Sequence, residues 1–253
     1  MRLALVLEYD GSSYHGFQYQ PGIPTIQEEI ENSIAKLDRQ CPRVEGAGRT
    51  DAGVHATGQV VIFDTAIERT PATFVKALNH YLPEDVSVRS AYQVPNDFDP
   101  RRMALSRRYV YTIYTGQTPS PLFRRTTWYS RCVLDVAKMD TAANVLLGIH
   151  DFDRFAGTMD KKARTTIREI IKIGVYQQDV LVKIEVEGNA FLPHQVRRMA
   201  GALVDVGRGN LTIMDIEAMV NCTSKDNRVA RALPAHGLCL VEVKYRDFPP
   251  RGD

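Results

Sequence analysis

Residues 46 to 61 read GAGRTDAGVHATGQVV, and they form the centre of the pattern that decides the fold. A short strand is predicted near Arg43–Gly46 and a longer one around Thr57–Phe63, so this stretch joins two neighbouring strands. Glycine loses more backbone entropy on ordering than any other residue, and four glycines in one loop therefore indicate an unusual backbone path. The loop presents two charged residues, Arg49 and Asp51.

The segments on either side of these two strands complete a β-α-β-β-α-β order. A strand is predicted over 3–9, a helix follows Thr25, a second helix runs over 70–81, and a strand covers 85–94. Thr25 and Glu28 have the spacing of a capping box, and Thr70-Pro71 is typical of a helix start. This order is that of a ferredoxin-like unit.

The second half of the chain repeats the order. A strand is predicted over 106–115, a helix over 134–147, and two strands flank a turn at Gln178-Asp179. A helix is predicted from Pro193 to Gly207, and a further helix (about 212–221) and a strand (238–245) follow. We therefore predict an α+β protein of two ferredoxin-like halves, residues 1–100 and 101–253. The sequence alone leaves open whether their sheets merge.

Composition predicts a soluble, reduced, cytoplasmic protein. The 253 residues are 44% hydrophobic and 25% charged, which is typical of globular domains. The longest apolar runs are too short for a transmembrane helix, and Glu8 and Asp10 near the start argue against a signal peptide. The four cysteines (41, 132, 222 and 239) lie far apart, so neither a disulfide framework nor a zinc site is expected.

Charge is distributed unevenly along the chain. Residues 1–100 contain 8 Lys and Arg against 14 Asp and Glu, whereas residues 101–253 contain 24 against 16. The stretch 100–134 has seven arginines, no acid and six aromatic residues. Guanidinium groups bind phosphates and aromatic rings stack on bases, so this stretch favours RNA binding over a merely solvated basic surface.

The glycine-rich loop does not fit the known phosphate-binding patterns. A P-loop needs a Gly-Lys pair, which occurs nowhere in the chain, and the third glycine of G-x-G-x-x-G would fall on Asp51. An aspartate in a loop is most often an Asx-turn residue. With Arg49 two residues away and an Arg-rich surface elsewhere, however, we interpret Asp51 as an ionised carboxylate that serves as nucleophile or base.

Four blocks of this sequence resemble the signature blocks of the tRNA pseudouridine synthase A (TruA) family, in the same order and at similar spacings. They are YDGSSYHGFQ (9–18), GRTDAGVHA (48–56), RRYVYTIY (107–114) and NAFLPHQVRRMAG (189–201). The resemblance runs over nearly the whole chain. It implies the pseudouridine synthase fold, with a mostly antiparallel central sheet and a cleft between the halves.

The resemblance also implies an activity: isomerisation of uridine to pseudouridine at positions 38, 39 and 40 of the tRNA anticodon stem-loop, without cofactor or metal. Asp51 matches the essential aspartate, which either attacks the ribose C1′ or removes the 2′ proton. Arg49 matches the arginine that fills the space left by the flipped nucleotide, Tyr109 the active-site tyrosine, and Arg197 the arginine that forms an ion pair with the catalytic aspartate.

The partners implied by the resemblance are tRNA and a second copy of the chain, since members of the family are homodimers. We expect seven basic residues to follow the tRNA backbone: Arg101, Arg102, Arg107, Arg108, Lys161, Lys162 and Arg164. Histidines 15, 55 and 194 lie in the signature blocks, but their spacing demands no chemistry.

Three alternatives stay open at this stage. A non-catalytic RNA-binding module would share the fold, but the aromatic run of an RNA-recognition motif is absent. A pseudouridine synthase for another RNA or another position is excluded less well, because the geometry of the cleft decides which nucleotide reaches Asp51. A metal-dependent nucleotidase would need clustered acids around Asp51, and only Glu45 lies within ten residues.

Overall fold

The computed structural model describes residues 1–38, 43–158, 165–221 and 230–249. In these ranges the chain forms ten β-strands and five α-helices, which confirms the α+β class. The strands are β1 (Arg2–Tyr9), β2 (Glu45–Gly46), β3 (His55–Asp64), β4 (Val86–Val94), β5 (Ser106–Tyr114), β6 (Trp128–Tyr129), β7 (Gly148–Asp151), β8 (Ile167–Gln178), β9 (Leu181–Gly188) and β10 (Leu238–Lys244). The helices are α1 (Ile26–Ala35), α2 (Pro71–Tyr81), α3 (Val136–Ala143), α4 (Gln195–Gly207) and α5 (Ile213–Val220).

The chain divides into two compact units. The first contains Met1–Leu105 and the stretch from Leu240 onward, and the second contains Ser106–Cys239. The two domains predicted as residues 1–100 and 101–253 stay a prediction, and the two compact units differ from them at the C-terminal strand. That strand lies beside β3 so closely that a Cβ on Gly58 would come within 2.4 Å of the Val241 carbonyl oxygen.

The first unit has the strand order of a ferredoxin-like fold. β1 lies between β3 and β4 and pairs antiparallel with both, while β2 pairs antiparallel with the other edge of β3. Leu5 of β1 faces Val61 on one side and Ala91 on the other. Leu3, Leu5 and Leu7 have no exposed surface, so β1 is the centre of this unit's core.

Both helices of the first unit begin where the sequence predicts, after Thr25 and Thr70. The Thr25 hydroxyl accepts the Glu28 amide at 3.4 Å, which satisfies one of the unpaired donors of the first turn. The apolar stripe of α1 is buried, as its helical spacing predicts. Its members Ile26, Ile30 and Ile34 are each 1% exposed.

The second unit contains four antiparallel strands in the order β5, β9, β8, β7, with β6 parallel to the far end of β5. The sequence predicts β5, β8 and β9 but not β6 or β7. These two strands have two and four residues, which is too short for an alternating apolar pattern to be recognised. Helix α3 is also shorter than predicted, since 3₁₀ geometry replaces it over Asn144–Leu146.

Helix α4 carries a wide apolar face on which Met199, Ala200 and Leu203 are fully buried. It begins at Gln195, two residues after the predicted start at Pro193. His194 has a φ of 60°, which is left-handed and cannot continue a right-handed helix. In the described ranges, no helix combines the length and the hydropathy needed to cross a bilayer.

Candidate active site

The loop that carries Asp51 connects β2 and β3, and its backbone is fixed at the residues on both sides. The Thr50 carbonyl oxygen accepts the Phe17 amide at 3.1 Å, and the Thr50 and Tyr9 hydroxyls lie 2.9 Å apart. After Asp51 the chain turns, since the Asp51 carbonyl oxygen accepts the Val54 amide at 3.1 Å. Asp51 itself is half-buried. Its backbone is therefore held in place while its side chain stays accessible from outside the unit.

Two glycines allow this loop to take its shape. Gly53 has a φ of 77°, and its amide donates to the Tyr14 carbonyl oxygen at 3.2 Å. Gly16 has a φ of 99°, and a Cβ there would lie 2.7 Å from the Thr50 carbonyl oxygen. The left-handed φ favours glycine at both positions, and at Gly16 the close carbonyl oxygen also leaves no room for a Cβ. The blocks 9–18 and 48–56 therefore form one structural feature: the first wraps around the loop that presents Asp51.

His55 supports the same loop from the start of β3. It is buried, and its Nδ1 accepts the Gly11 amide at 3.1 Å. Asp10 Oδ1 lies at the same distance from Nδ1 and also accepts the Ser12 amide. These contacts give His55 a structural role in the signature block.

Arg49 forms no ion pair with Asp51 in the described ranges. Its side chain is exposed and makes no hydrogen bond or ion pair within the part of the chain that the structure describes. Arg49 instead lines an open groove of about 670 Å³, which Asp51 does not line.

In the second unit, Tyr109 lies on β5 opposite Val186 of β9 and is 9% exposed. Its ring stands perpendicular to that of Phe191, with centroids 5.3 Å apart. Such edge-to-face packing fixes the orientation of the tyrosine ring. No sequence pattern singles out Phe191, although the residue lies in the fourth signature block.

Arg197 lies on the first turn of α4, where it is tied to the segment that precedes β10. Its Nε donates to the Leu233 carbonyl oxygen at 2.8 Å, and its own carbonyl oxygen accepts the Leu233 amide at 3.1 Å. The neighbouring Arg198 donates to the Ala230 carbonyl oxygen at 2.6 Å. The ion pair of Arg197 with Asp51, which the family resemblance implies, stays a prediction.

The basic residues predicted to follow RNA separate into three groups. Arg101 and Arg102 are exposed and line the same groove as Arg49. Arg107 is buried and donates to the Asn189 carbonyl oxygen at 2.9 Å, and Arg108 lies 3.2 Å from Glu185. These internal contacts give both side chains structural partners, and their RNA contacts stay a prediction. Lys161, Lys162 and Arg164 lie outside the described residues.

Comparison with known proteins gives the same assignment over most of the chain. A family model described as tRNA pseudouridine synthase matches residues 5–101 and 142–246, so Arg49, Asp51 and Arg197 lie within the match. A relative named tRNA pseudouridine synthase A from Myxococcus xanthus is 44% identical over 250 residues, 98% of this chain and 94% of the relative. Relatives of the same name from Geotalea daltonii and Geobacter sulfurreducens are each 41% identical and cover 96% of this chain and 99% of their own length. The chain belongs to the tRNA pseudouridine synthase family.

Proposed function

We propose that this protein is an isomerase that converts uridine to pseudouridine at positions 38, 39 and 40 of the tRNA anticodon stem-loop. Membership of the tRNA pseudouridine synthase family supports the reaction and the class of substrate. The main structural support for the proposal is the set of hydrogen bonds around Asp51. Hydrogen bonds at Thr50 and Val54 hold the backbone on both sides of a half-buried carboxylate.

The reaction needs a group that acts at the ribose. The N1–C1′ bond breaks, the uracil turns, and a C5–C1′ bond forms while C5 loses its proton and N1 gains one. An ionised carboxylate next to the sugar assists in one of two ways. It attacks C1′ and forms a covalent ribosyl ester, or it removes the 2′ proton and leaves a glycal. We assign one of these two roles to Asp51.

The target base must leave its stack before the ribose can be reached, and this costs roughly a few kcal/mol. We propose that Arg49 offsets part of this cost by filling the vacated space. A planar guanidinium stacks on bases and binds phosphates. Arg49 is exposed and has no hydrogen bond or ion pair in the described ranges, so no internal contact has to break when it moves toward RNA.

Tyr109 and Arg197 of the second unit match residues of the family motifs, and we assign their roles on that basis. We propose that Tyr109 of β5 packs against the flipped uracil, because its ring is held edge-on by that of Phe191. We propose that Arg197 forms the ion pair that orients the carboxylate of Asp51. The hydrogen bond from its Nε to the Leu233 carbonyl oxygen holds this side chain at the start of α4.

We further propose that the protein acts in the cytoplasm as a homodimer. The cytoplasm follows from the substrate, since tRNA is found there. A dimer is supported by the opposite charge balance of the two parts of the sequence, an acidic first hundred residues and a basic remainder. Light scattering of the purified protein at several concentrations tests the dimer, and a mass of 28.5 kDa at all of them would contradict it.

The test of the proposed function uses tRNA transcripts labelled with [5-³H]uridine. Each transcript carries uridine at only one of the three positions, with cytidine at the other two. Because C5 loses its hydrogen when the new bond forms, tritium released into water reports the isomerisation. Release that requires uridine at position 38, 39 or 40 supports the proposal. Release from other uridines only would point to a synthase for another position, and binding without release to an RNA-binding module.

A further inference from the structure

The first unit contains an open groove of about 670 Å³, which residues of the Asp51 loop line although Asp51 itself does not. One wall comes from the residues before Asp51, including Glu45, Gly48 and Arg49. The other wall is the turn that carries Arg101 and Arg102. Most of the lining side chains are polar or charged, and enclosed small-molecule sites are mainly apolar. The groove therefore fits a charged polymer that lies in it lengthwise.

The turn with the two arginines is built by Asp99. Its Oδ1 accepts the amides of both Arg101 and Arg102 at 2.9 Å, and its Oδ2 lies 3.5 Å from Arg102 Nε. The hydrogen bonds from the Arg102 and Arg101 amides keep the pKa of the Asp99 carboxyl below its usual range. The Asp99 carboxylate on this side of the groove is thus hydrogen-bonded to the backbone of its own turn. The Arg102 side chain extends from the same turn and is 89% exposed.

Gly48 on the opposite wall has no structural reason to be glycine. A Cβ there would meet no heavy atom within 4 Å, and its φ is not in the left-handed region. Gly58 on the following strand is different, since a Cβ there would meet the Val241 carbonyl oxygen. The amides of Gly48 and Arg49 also have no acceptor among the residues that the structure describes. Without a side chain at Gly48 an anion can approach the backbone closely, and the two amides can donate hydrogen bonds to it.

We propose that this groove binds the sugar–phosphate backbone of the substrate RNA next to the flipped nucleotide. A phosphodiester lies against the Gly48 backbone and contacts Arg49, Arg101 and Arg102. The inference rests on the proposed function, because it takes the polymer to be the RNA on which Asp51 acts. It adds a subsite that positions the strand without taking part in the chemistry. Gly48 leaves room for the phosphate, and Asp99 positions the arginines.

The test measures RNA affinity and its salt dependence in an Asp51→Asn background, so that the RNA stays unreacted. The variants are Arg101→Ala, Arg102→Ala, Gly48→Ala and Gly48→Leu. Arg89→Ala is the charge-matched control, since Arg89 is an exposed arginine of β4 that pairs with Glu8 and does not line the groove. Gly174→Ala is the control for an added methyl group, because the nearest atom to its Cβ is 3.8 Å away.

Each groove arginine variant is expected to raise the Kd about two- to fivefold at ~100 mM salt. Each also reduces the slope of log Kd against log salt by about 0.7–0.9, the value for one phosphate contact. Both Gly48 variants are expected to raise the Kd and to leave the Tm unchanged. The increase in Kd should be larger for Gly48→Leu than for Gly48→Ala. Both controls keep the wild-type Kd, and Arg89→Ala keeps the salt slope.

Two results overturn the inference and are distinguishable from each other. If the protein with Asp51 intact releases tritium but the groove variants bind RNA as the controls do, the groove is not an RNA subsite and the proposed function stands. If the protein with Asp51 intact neither binds the stem-loop nor releases tritium, the proposed function fails and the groove assignment fails with it.

Discussion

The hydroxyl groups of Tyr9 and Thr50 lie 2.9 Å apart in a buried position, and Thr50 directly precedes Asp51. Tyr9 ends β1, the central strand of the first unit, so this hydrogen bond joins the loop that carries Asp51 to the strand at the centre of the unit's core. The Phe17 amide reinforces the attachment by donating to the Thr50 carbonyl oxygen. The position of Asp51 thus depends on hydrogen bonds made by Tyr9 and Phe17, which lie in another part of the sequence.

Removal of this hydrogen bond should slow the reaction more than it weakens binding. A buried hydrogen bond contributes about 0.5–1.5 kcal/mol, so Tyr9→Phe and Thr50→Val should each lower the single-turnover rate by roughly two- to tenfold. The RNA Kd should stay unchanged. The double variant should be no slower than the slower single variant, because one interaction is lost in all three. Multiplicative effects in the double variant would contradict a shared hydrogen bond.

Gly16→Ala should destabilise the protein, because the new methyl group meets the Thr50 carbonyl oxygen at a backbone angle that suits glycine. We expect a loss of about 2 kcal/mol in the free energy of unfolding, from the left-handed φ and the clash together. For a chain of this size the Tm should fall by roughly 4–8 °C. Gly48→Ala is the matched control and should leave the Tm unchanged. Equal stability of the two variants would show that the wrapping segment is not packed as described.

Asp99→Ala should weaken RNA binding although it removes a negative charge from the groove. If the charge alone mattered, the loss of an acid would strengthen binding to a polyanion. If Asp99 positions Arg101 and Arg102, the turn loosens and the Kd rises. Asp99→Asn keeps an acceptor oxygen and should recover part of the affinity. Asp97→Ala removes an exposed acid of the same segment and should leave the Kd equal or slightly lower.

The same contacts predict how this turn responds to acid. The folded pKa of Asp99 is lowered, chiefly by the Arg102 amide. Its stabilising contribution is therefore fully present above the unfolded pKa of about 3.9 and is lost as the pH falls through the lower folded value. Titration of the Asp99 carboxyl by NMR should give a midpoint below about 3.9. A midpoint at or above that value would contradict the hydrogen bonds to the two amides.

Phe191→Leu tests whether the orientation of Tyr109 matters to the chemistry. An edge-to-face aromatic pair contributes about 0.5–1.5 kcal/mol beyond its buried area, so we expect the single-turnover rate to fall roughly two- to tenfold. The RNA Kd should not change. Phe98→Leu is the control, since Phe98 contacts the ring of Tyr245 in the first unit and touches none of the proposed catalytic residues. A rate loss of equal size in both variants would indicate a general effect on stability.

The sequence predicts the repeated order of elements because apolar periodicity and helix caps are local properties. Thr25 and Thr70 cap helices where the pattern places them, and the long strands β1 and β3 coincide with apolar runs of the sequence. The strands β6 and β7 are too short to leave such a pattern. The end of β10 lies in the first unit because it lies beside β3, and no local signal encodes that partner.

The candidate site is less visible in the sequence, because contacts between distant residues build it. Asp51 and its glycines stand out in the sequence, yet the need for Gly16 depends on the Thr50 carbonyl oxygen. Arg49 also stands out in the sequence, but that it lines a groove together with Arg102 depends on residues far apart in the chain. The direction of a side chain on a turn depends on the backbone path, which the residue pattern does not specify.

We assign the chemistry at the ribose to the carboxylate of Asp51. The most direct test compares wild type with Asp51→Asn in single-turnover tritium release from [5-³H]uridine-labelled tRNA, with the RNA Kd and the Tm measured on both proteins. The asparagine keeps the size of the side chain but cannot act as base or nucleophile in the same way. We predict equal Tm values, a similar Kd, and a release rate lower by about 10²–10⁴-fold. Release by Asp51→Asn at the wild-type rate would contradict the account.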